Sequence, residues 1–287
     1  GKQRGNGGIK MNRRIVDVHV HYDIEDGTAL KQFAESSGRN GIVSCLIGGE
    51  RIGAHDYVPN ERILQVCKEF PDIFIPFAKV DLWDTEPDPG KIHEFAEKGF
   101  RGLKFIYPYY EYDHDLYMPV YEAAEECGLP LLFHTGDFRP GNADPVYRRP
   151  VLKNMNPLNL DRIARSFPRL HLIMAHLGTT FWRQEGAELL KSHPNLYADL
   201  AGSGAWKALS AGELKTLMQP RLPAAAPEAD NPYYAKLVFG SDAYIRNPEI
   251  QTEARKHYEA LLDGCEQTKD TAARIMGDTV ARWLKLN

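Results

Sequence analysis

Short apolar runs rich in β-branched residues alternate along this chain with longer stretches of helical periodicity. The runs Ile15–Val20, Gly41–Ile47, Ile73–Val80, Gly102–Ile106, Leu129–His134, Leu170–His176, Leu196–Asp199 and Lys236–Gly240 predict strands. Between them, Thr28–Glu35, Asn60–Phe70, Pro89–Lys98, Leu116–Cys127, Pro157–Phe167, Thr180–Ser192, Ala211–Met218 and Pro248–Leu262 predict helices, and Lys269–Leu284 predicts a closing one. Punctuation supports these bounds: Pro59 precedes Asn60–Phe70 and Pro71 ends it, while Gly128 and Pro130 separate Leu116–Cys127 from the next strand. Strands that read apolar on both faces belong to parallel sheets covered by helices. Eight such units predict an α/β fold, a (β/α)8 TIM barrel in a single domain, with a doubly wound open sheet as the second choice. The Pro/Ala-rich stretch Gln219–Pro232 reads as a loop before the eighth strand, because the chain must still return to complete the barrel. Residues 1–10, opening on the polar, glycine-rich Gly1–Gly8, predict a disordered extension, and 11–287 the barrel domain.

Composition adds exclusions. With 43% hydrophobic and 26% charged residues in 287, the composition is ordinary globular and a large core is expected. A formal net charge of −4 gives no basic field for nucleic acid or an anionic membrane. No apolar run approaches the ~20 residues that span a bilayer. Cys45, Cys67, Cys127 and Cys265 are far apart and form no CxxC, so they are expected to be free thiols. The chain does not open with Met; a cytoplasmic location is the default expectation, with export after leader removal, and assembly into a homo-oligomer, both left open.

Chemistry in such barrels lies where strands end, on the loops into the helices. The first strand reads IVDVHVH, and period-two alternation puts Asp17, His19 and His21 on one face and Val16, Val18 and Val20 on the other. Three polar residues in a buried strand are costly without partners, and a divalent metal, zinc by ligand type, removes the cost. For HxH alone, a hydrogen-bonded core pair competes with that reading. Three further strand ends favour the metal: His134 in LPLLFHTGD, His176 in LHLIMAHLG and Asp242 in KLVFGSDAY. Lys104, in FRGLKFIY, has three readings: facing the site, meeting a carboxylate, or snorkelling outward. The loop Tyr107–Asp115, YPYYEYDHD, either walls a pocket for a ring substrate or packs as an ordinary loop. The long loop Thr135–Asn156 carries Arg139, Arg148 and Arg149, which either clamp a substrate carboxylate or form a solvated surface. His55, His93, His114, His171, His193 and His257 read as surface or structural.

HVH after strand one, HTG after strand five, HLG after strand six and FGSD after strand eight resemble the amidohydrolase superfamily. The finer resemblance is to its amidohydrolase-related branch, which includes aminocarboxymuconate-semialdehyde decarboxylase-like enzymes and many hydrolases. KGFRGLKFIYP is similar to that branch's fourth-strand motif, and AARIMGDTVARWLKL to its closing helix. The resemblance covers Ile15 to the C-terminus. It implies that His19, His21 and His134 ligate one divalent metal, that Asp242 is a further ligand and proton-transfer group, and that His176 is an unligated acid/base. In binuclear members a carbamylated strand-four lysine bridges two metals; Lys104 and His176 would fill those places, and one metal is preferred here. Lys104, Tyr107 and Arg139 are the candidate substrate-binding residues.

The expected activity is hydrolysis of a small amide, lactone or ester. Non-oxidative decarboxylation of a carboxylated small molecule uses the same ligands and is the alternative. A binding barrel without catalysis and a metal phosphoesterase are the further readings.

Overall fold

The computed structural model describes residues 14–49, 51, 52, 55, 56, 58–137, 151–201, 205–219 and 227–286. The predicted extension over 1–10, Arg139, Arg148 and Arg149 lie outside the described residues.

Eight parallel strands form one sheet: β1 Ile15–His21, β2 Ile42–Ile47, β3 Phe74–Val80, β4 Gly102–Phe105, β5 Leu131–His134, β6 Leu172–Ala175, β7 Leu196–Ala198 and β8 Ala243–Tyr244. Their order is β8-β1-β2-β3-β4-β5-β6-β7. The gap between β7 and β1 is spanned by Leu237–Phe239: the Val238 N–H donates to Ala198 O at 2.9 Å, and the Val18 N–H to Phe239 O at 3.0 Å. The curled sheet is a TIM barrel. The predicted eighth strand, Lys236–Gly240, is this closing segment, reduced to one bridge, Ala198 to Leu237. The regular β8 lies just beyond it and pairs with Val20 and His21.

Helices α1 Gly27–Arg39, α2 Asn60–Glu69, α3 Gly90–Lys98, α4 Met118–Cys127, α5 Leu160–Ser166, α6 Thr179–Ser192, α7 Ala211–Met218 and α8 Pro248–Gly264 alternate with the strands. Local chemistry sets their starts. Asp26 accepts from the Ala29 N–H at 2.9 Å, and Ser210 with Glu213 forms a capping box on α7. The closing helix is continuous but not regular throughout. α9 Lys269–Ala273 passes through a π turn, Arg274–Asp278, into α10 Thr279–Trp283. The Ile275 carbonyl in that turn accepts the Phe239 N–H at 2.9 Å, so the irregular turn supplies a main-chain bond to the segment that closes the barrel.

Two apolar layers flank the sheet. Val16, Val18, Val43, Cys45, Ile47, Ile75, Phe77, Leu132, Ile173 and Val238 fill the interior, with Val280 and Leu284 of the closing helix packed against them. Val20, Leu46, Phe74, Leu103, Phe105, Phe133 and Met174 pack outward on helix residues such as Phe33, Ile63 and Val120. The interior is tight at Gly102, where a Cβ would stand 2.3 Å from the Phe77 ring. All four cysteines are free thiols, as expected.

The layers correct one expectation. Asp17 does not share a face with His19 and His21, and Val16 and Val18 do not face the helices. The register of β1 on β2 runs Asp17 to Ser44 and then Val20 to Leu46, so Val18 and His19 together stand against Cys45. This bulge resets the alternation. Asp17 turns outward and accepts from Ser241 N–H at 2.9 Å, Ser241 Oγ at 2.6 Å and Gln251 Nε2 of α8 at 2.9 Å. Burial pushes its carboxyl up to about 6 against the pull of those bonds.

Candidate active site

His19 and His21 end β1, Lys104 sits in β4, His134 ends β5, His176 follows β6, Asp199 follows β7 and Asp242 precedes β8. All lie at the C-terminal rim. Backbone strain collects there: Tyr107, His176, Leu177, Thr179 and Asp242 take φ of 45° to 68°, a region disfavoured for residues with a Cβ.

At the centre, Asp242 Oδ1 lies 2.9 Å from His21 Nε2 and 3.2 Å from His19 Nε2. His19 Nδ1 lies 3.0 Å from Asp199 Oδ2, and a carboxylate only accepts, so His19 carries its hydrogen on Nδ1. Its Nε2 is then a lone pair, and the Lys104 Nζ, 3.0 Å away, donates to it. Two acceptors, His19 Nε2 and Asp242 Oδ1, thus face each other at 3.2 Å, with His21 beside them. Two imidazoles and a carboxylate with converging donor atoms fit a divalent cation with nitrogen and oxygen ligands.

A second chain of rings runs alongside. The His176 ring stands 5.2 Å from that of His19 and 4.9 Å from that of His134. His176 Nδ1–H donates to the Ala201 carbonyl at 2.8 Å, which turns its Nε2 toward His134 Nδ1, 3.2 Å away. The His134 Nε2–H donates to the Asp137 carbonyl at 3.0 Å, which leaves the His134 Nδ1 lone pair facing His176 Nε2. His134 stands beside the converging donors and belongs to neither cluster of possible ligands among the described residues.

Electrostatics keep His19, His21 and His134 neutral. Burial, then the Lys104 cation, push His19 down to about 4. Burial lowers His21, and burial, then His176 and Lys104, holds His134 well below the ordinary range. Burial raises the Asp242 carboxyl, but His19, His21 and His176 outweigh it and hold the group well below the usual carboxylate range. Lys104 is 1% exposed, and burial pushes it down to about 8 against the pull of Asp242 and Asp199. Of its three sequence readings the first holds: Leu103 and Phe105 point outward and Lys104 points into the site. Tyr107 is buried, its ring 6.3 Å from that of His134.

A family model described as Amidohydrolase matches residues 48–286. The chain belongs to the amidohydrolase family. Among curated relatives, a dihydroorotase of Pseudomonas fluorescens (strain Pf0-1) is 28% identical over 176 residues, 57% of this chain and 48% of that protein. The chain thus spans about half the length of the curated relatives it matches. Among solved structures, an uncharacterised TIM-barrel protein of Bordetella bronchiseptica aligns with a TM-score of 0.66 at 18% identity, covering 95% of this chain and 98% of that one. The 5-carboxyvanillate decarboxylase of Sphingomonas paucimobilis aligns at 0.60 and 15%, covering 96% and 100%. At those identities the two structures speak for the fold alone. The family is one of enzymes, usually metal-dependent, and the proteins similar to this chain include both hydrolases and decarboxylases.

Two participants escaped the sequence reading. Asp199 holds His19, and Gln251 holds Asp17 while its Nε2 also donates to Ser44 Oγ at 2.8 Å. Asp199 carried the same signal as His134, a polar residue closing an apolar strand. Gln251 carried none, since an amide on an amphipathic helix reads as exposed. His93 lies apart from the site beside Cys127 and Glu126, and His193 pairs with Asp161. Among the described residues no helix is long and apolar enough to cross a membrane.

Proposed function

We propose that this amidohydrolase is a metal-dependent hydrolase of a small amide, lactone or ester, with cyclic amides first among them. The observation that carries the reading is the convergence of His19 Nε2, His21 Nε2 and Asp242 Oδ1 at the barrel mouth. The dihydroorotase relatives support an amide over the other substrates.

His19, His21 and Asp242 would hold one divalent ion, zinc by donor type, with His134 beside them. Such an ion supplies Lewis-acid chemistry, acidifying water and countering charge on a carbonyl oxygen. Asp242, kept ionised by its histidines, takes the proton from water on a carboxylate oxygen and delivers it to the leaving nitrogen or oxygen. His176 is fixed by Ala201 so that Nε2 faces His134, and a proton held there would counter charge on the developing oxyanion. Tyr107 walls the pocket beside His134. Lys104 is sealed against His19, so its charge acts on substrate and ligand from beneath.

The test is turnover of a panel of cyclic amides, lactones and esters in ¹⁸O-labelled water, by protein stripped with a chelator and then resupplied with Zn²⁺. We expect activity to vanish on stripping and return on resupply, with one ¹⁸O in the product. Substitution His19→Ala should abolish stoichiometric zinc. Release of CO₂ from a carboxylated substrate with no label in the product would replace hydrolysis by decarboxylation.

A further inference from the structure

Asp199 is wholly buried behind His19 and His176. Its Oδ1 accepts two main-chain hydrogens, from His176 N at 2.8 Å and Ala201 N at 3.0 Å. Its Oδ2 accepts from His19 Nδ1 at 3.0 Å. The carboxylate has no freedom to turn away. Tyr258 braces both flanks: its hydroxyl accepts from the Leu200 N–H at 2.6 Å and donates to the Gly240 carbonyl at 3.0 Å. At Gly240 itself a Cβ would come within 2.7 Å of Asp199 Oδ2, so glycine leaves room for the carboxylate. One acid thereby ties together the ends of β1, β6 and β7.

We infer that Asp199 is a positioning residue that selects the tautomer of His19, holding the hydrogen on Nδ1 so that the Nε2 lone pair faces Asp242 and the cation. One contact on the other side of the ring agrees, and one pulls the other way. Lys104 can only donate to Nε2, so a hydrogen there would oppose it; Asp242 Oδ1 would accept that hydrogen, but it lies farther off, at 3.2 Å, than Lys104 and Asp199, each at 3.0 Å. The same acid orders the His176 main chain, so both rings of the site depend on it. Asp199 also falls in a second cluster of possible metal donors, with His19 and His176. Its oxygens are already engaged by three N–H groups, which marks it as a holder of ligands and not as one itself.

The inference rests on His19 being a ligand, as proposed above, but its decisive measurement needs no metal. In Asp199→Asn the amide oxygen is expected to stay where two main-chain N–H groups require an acceptor, which leaves the amide NH₂ facing His19 Nδ1. A donor there forces Nδ1 to accept and moves the hydrogen to Nε2. Nitrogen-15 shifts of His19 in the metal-free protein report this directly. We expect pyrrole-type Nδ1 and pyridine-type Nε2 in the wild type, exchanged in Asp199→Asn. Zinc affinity, read by competition with a chromogenic chelator, should fall roughly 10- to 100-fold, as for other outer partners of metal-bound histidines. A hydrogen on Nε2 in the wild type would overturn the inference even if the variant does not fold. An unchanged tautomer or unchanged zinc affinity in a folded Asp199→Asn would do the same. A wild type that shows the expected tautomer but takes up no zinc would instead sink the proposed metal-dependent hydrolysis.

Discussion

At the scale of single residues, the site is a set of groups whose protonation is decided by burial and by one another. Lys104 is the clearest case. Its ammonium lies 3.0 Å from His19 Nε2 and is, after burial, the main reason His19 resists protonation. Substitution Lys104→Met should therefore raise the His19 pKa from about 4 toward its ordinary value, measured by NMR titration of the metal-free protein. The sign follows because removing a neighbouring cation lowers the cost of the protonated ring. A His19 that titrates identically in the variant would show that Lys104 is uncharged there. The sequence placed Lys104 in a strand but left its direction open, because a lysine is long enough to reach either face.

At the scale of elements, β1 shows how one extra residue redirects chemistry. Alternation read from IVDVHVH puts Asp17 with the histidines, and the bulge at Val18 and His19 separates them. Asp17 thereby becomes the anchor of α8 through Gln251, while His19 and His21 face the cation site. A bulge leaves no mark in the pattern of apolar and polar positions, since both faces of a barrel strand are buried. The barrel filling is equally particular. Gly102→Ala would drive a methyl to 2.3 Å from the fully buried Phe77 ring. Overpacking of this kind costs about 1–3 kcal/mol, measurable by urea denaturation. Adding Phe77→Leu should recover part of the loss, and strictly additive effects would show that the two side chains do not compete for one space.

At the scale of the whole molecule, the neutral histidines couple stability to pH. His19 falls from an ordinary 6.5 unfolded to about 4 folded, so between those values the unfolded chain binds more protons. Its contribution is fully present above pH 6.5 and is lost as pH falls toward 4. From pH 7 to 5 this one ring costs about 2 kcal/mol. His21 and His134 are shifted the same way. Asp17 runs oppositely: raised to about 6, it binds a proton in the folded state first and returns about 1 kcal/mol over the same range. Chemical denaturation of the metal-free protein should show a net loss of stability at pH 5, and an equal or greater stability at pH 5 would refute the buried, neutral histidines.

By itself the sequence determined the alternating units, hence the barrel, and through strand ends it determined the rim on which His19, His21, His134, His176 and Asp242 stand. Those features follow from local rules: periodicity, punctuation, and the cost of burying polar groups. Which of these residues meet was decided only by tertiary structure. His19, His21 and Asp242 converge because the segment after β7 closes the sheet on β1 and brings residues more than two hundred positions apart to 3.2 Å or less. His134 stands aside because Asp137 and His176 claim its nitrogens. Asp199 and Gln251 take their roles from what packs against them, which no local pattern encodes.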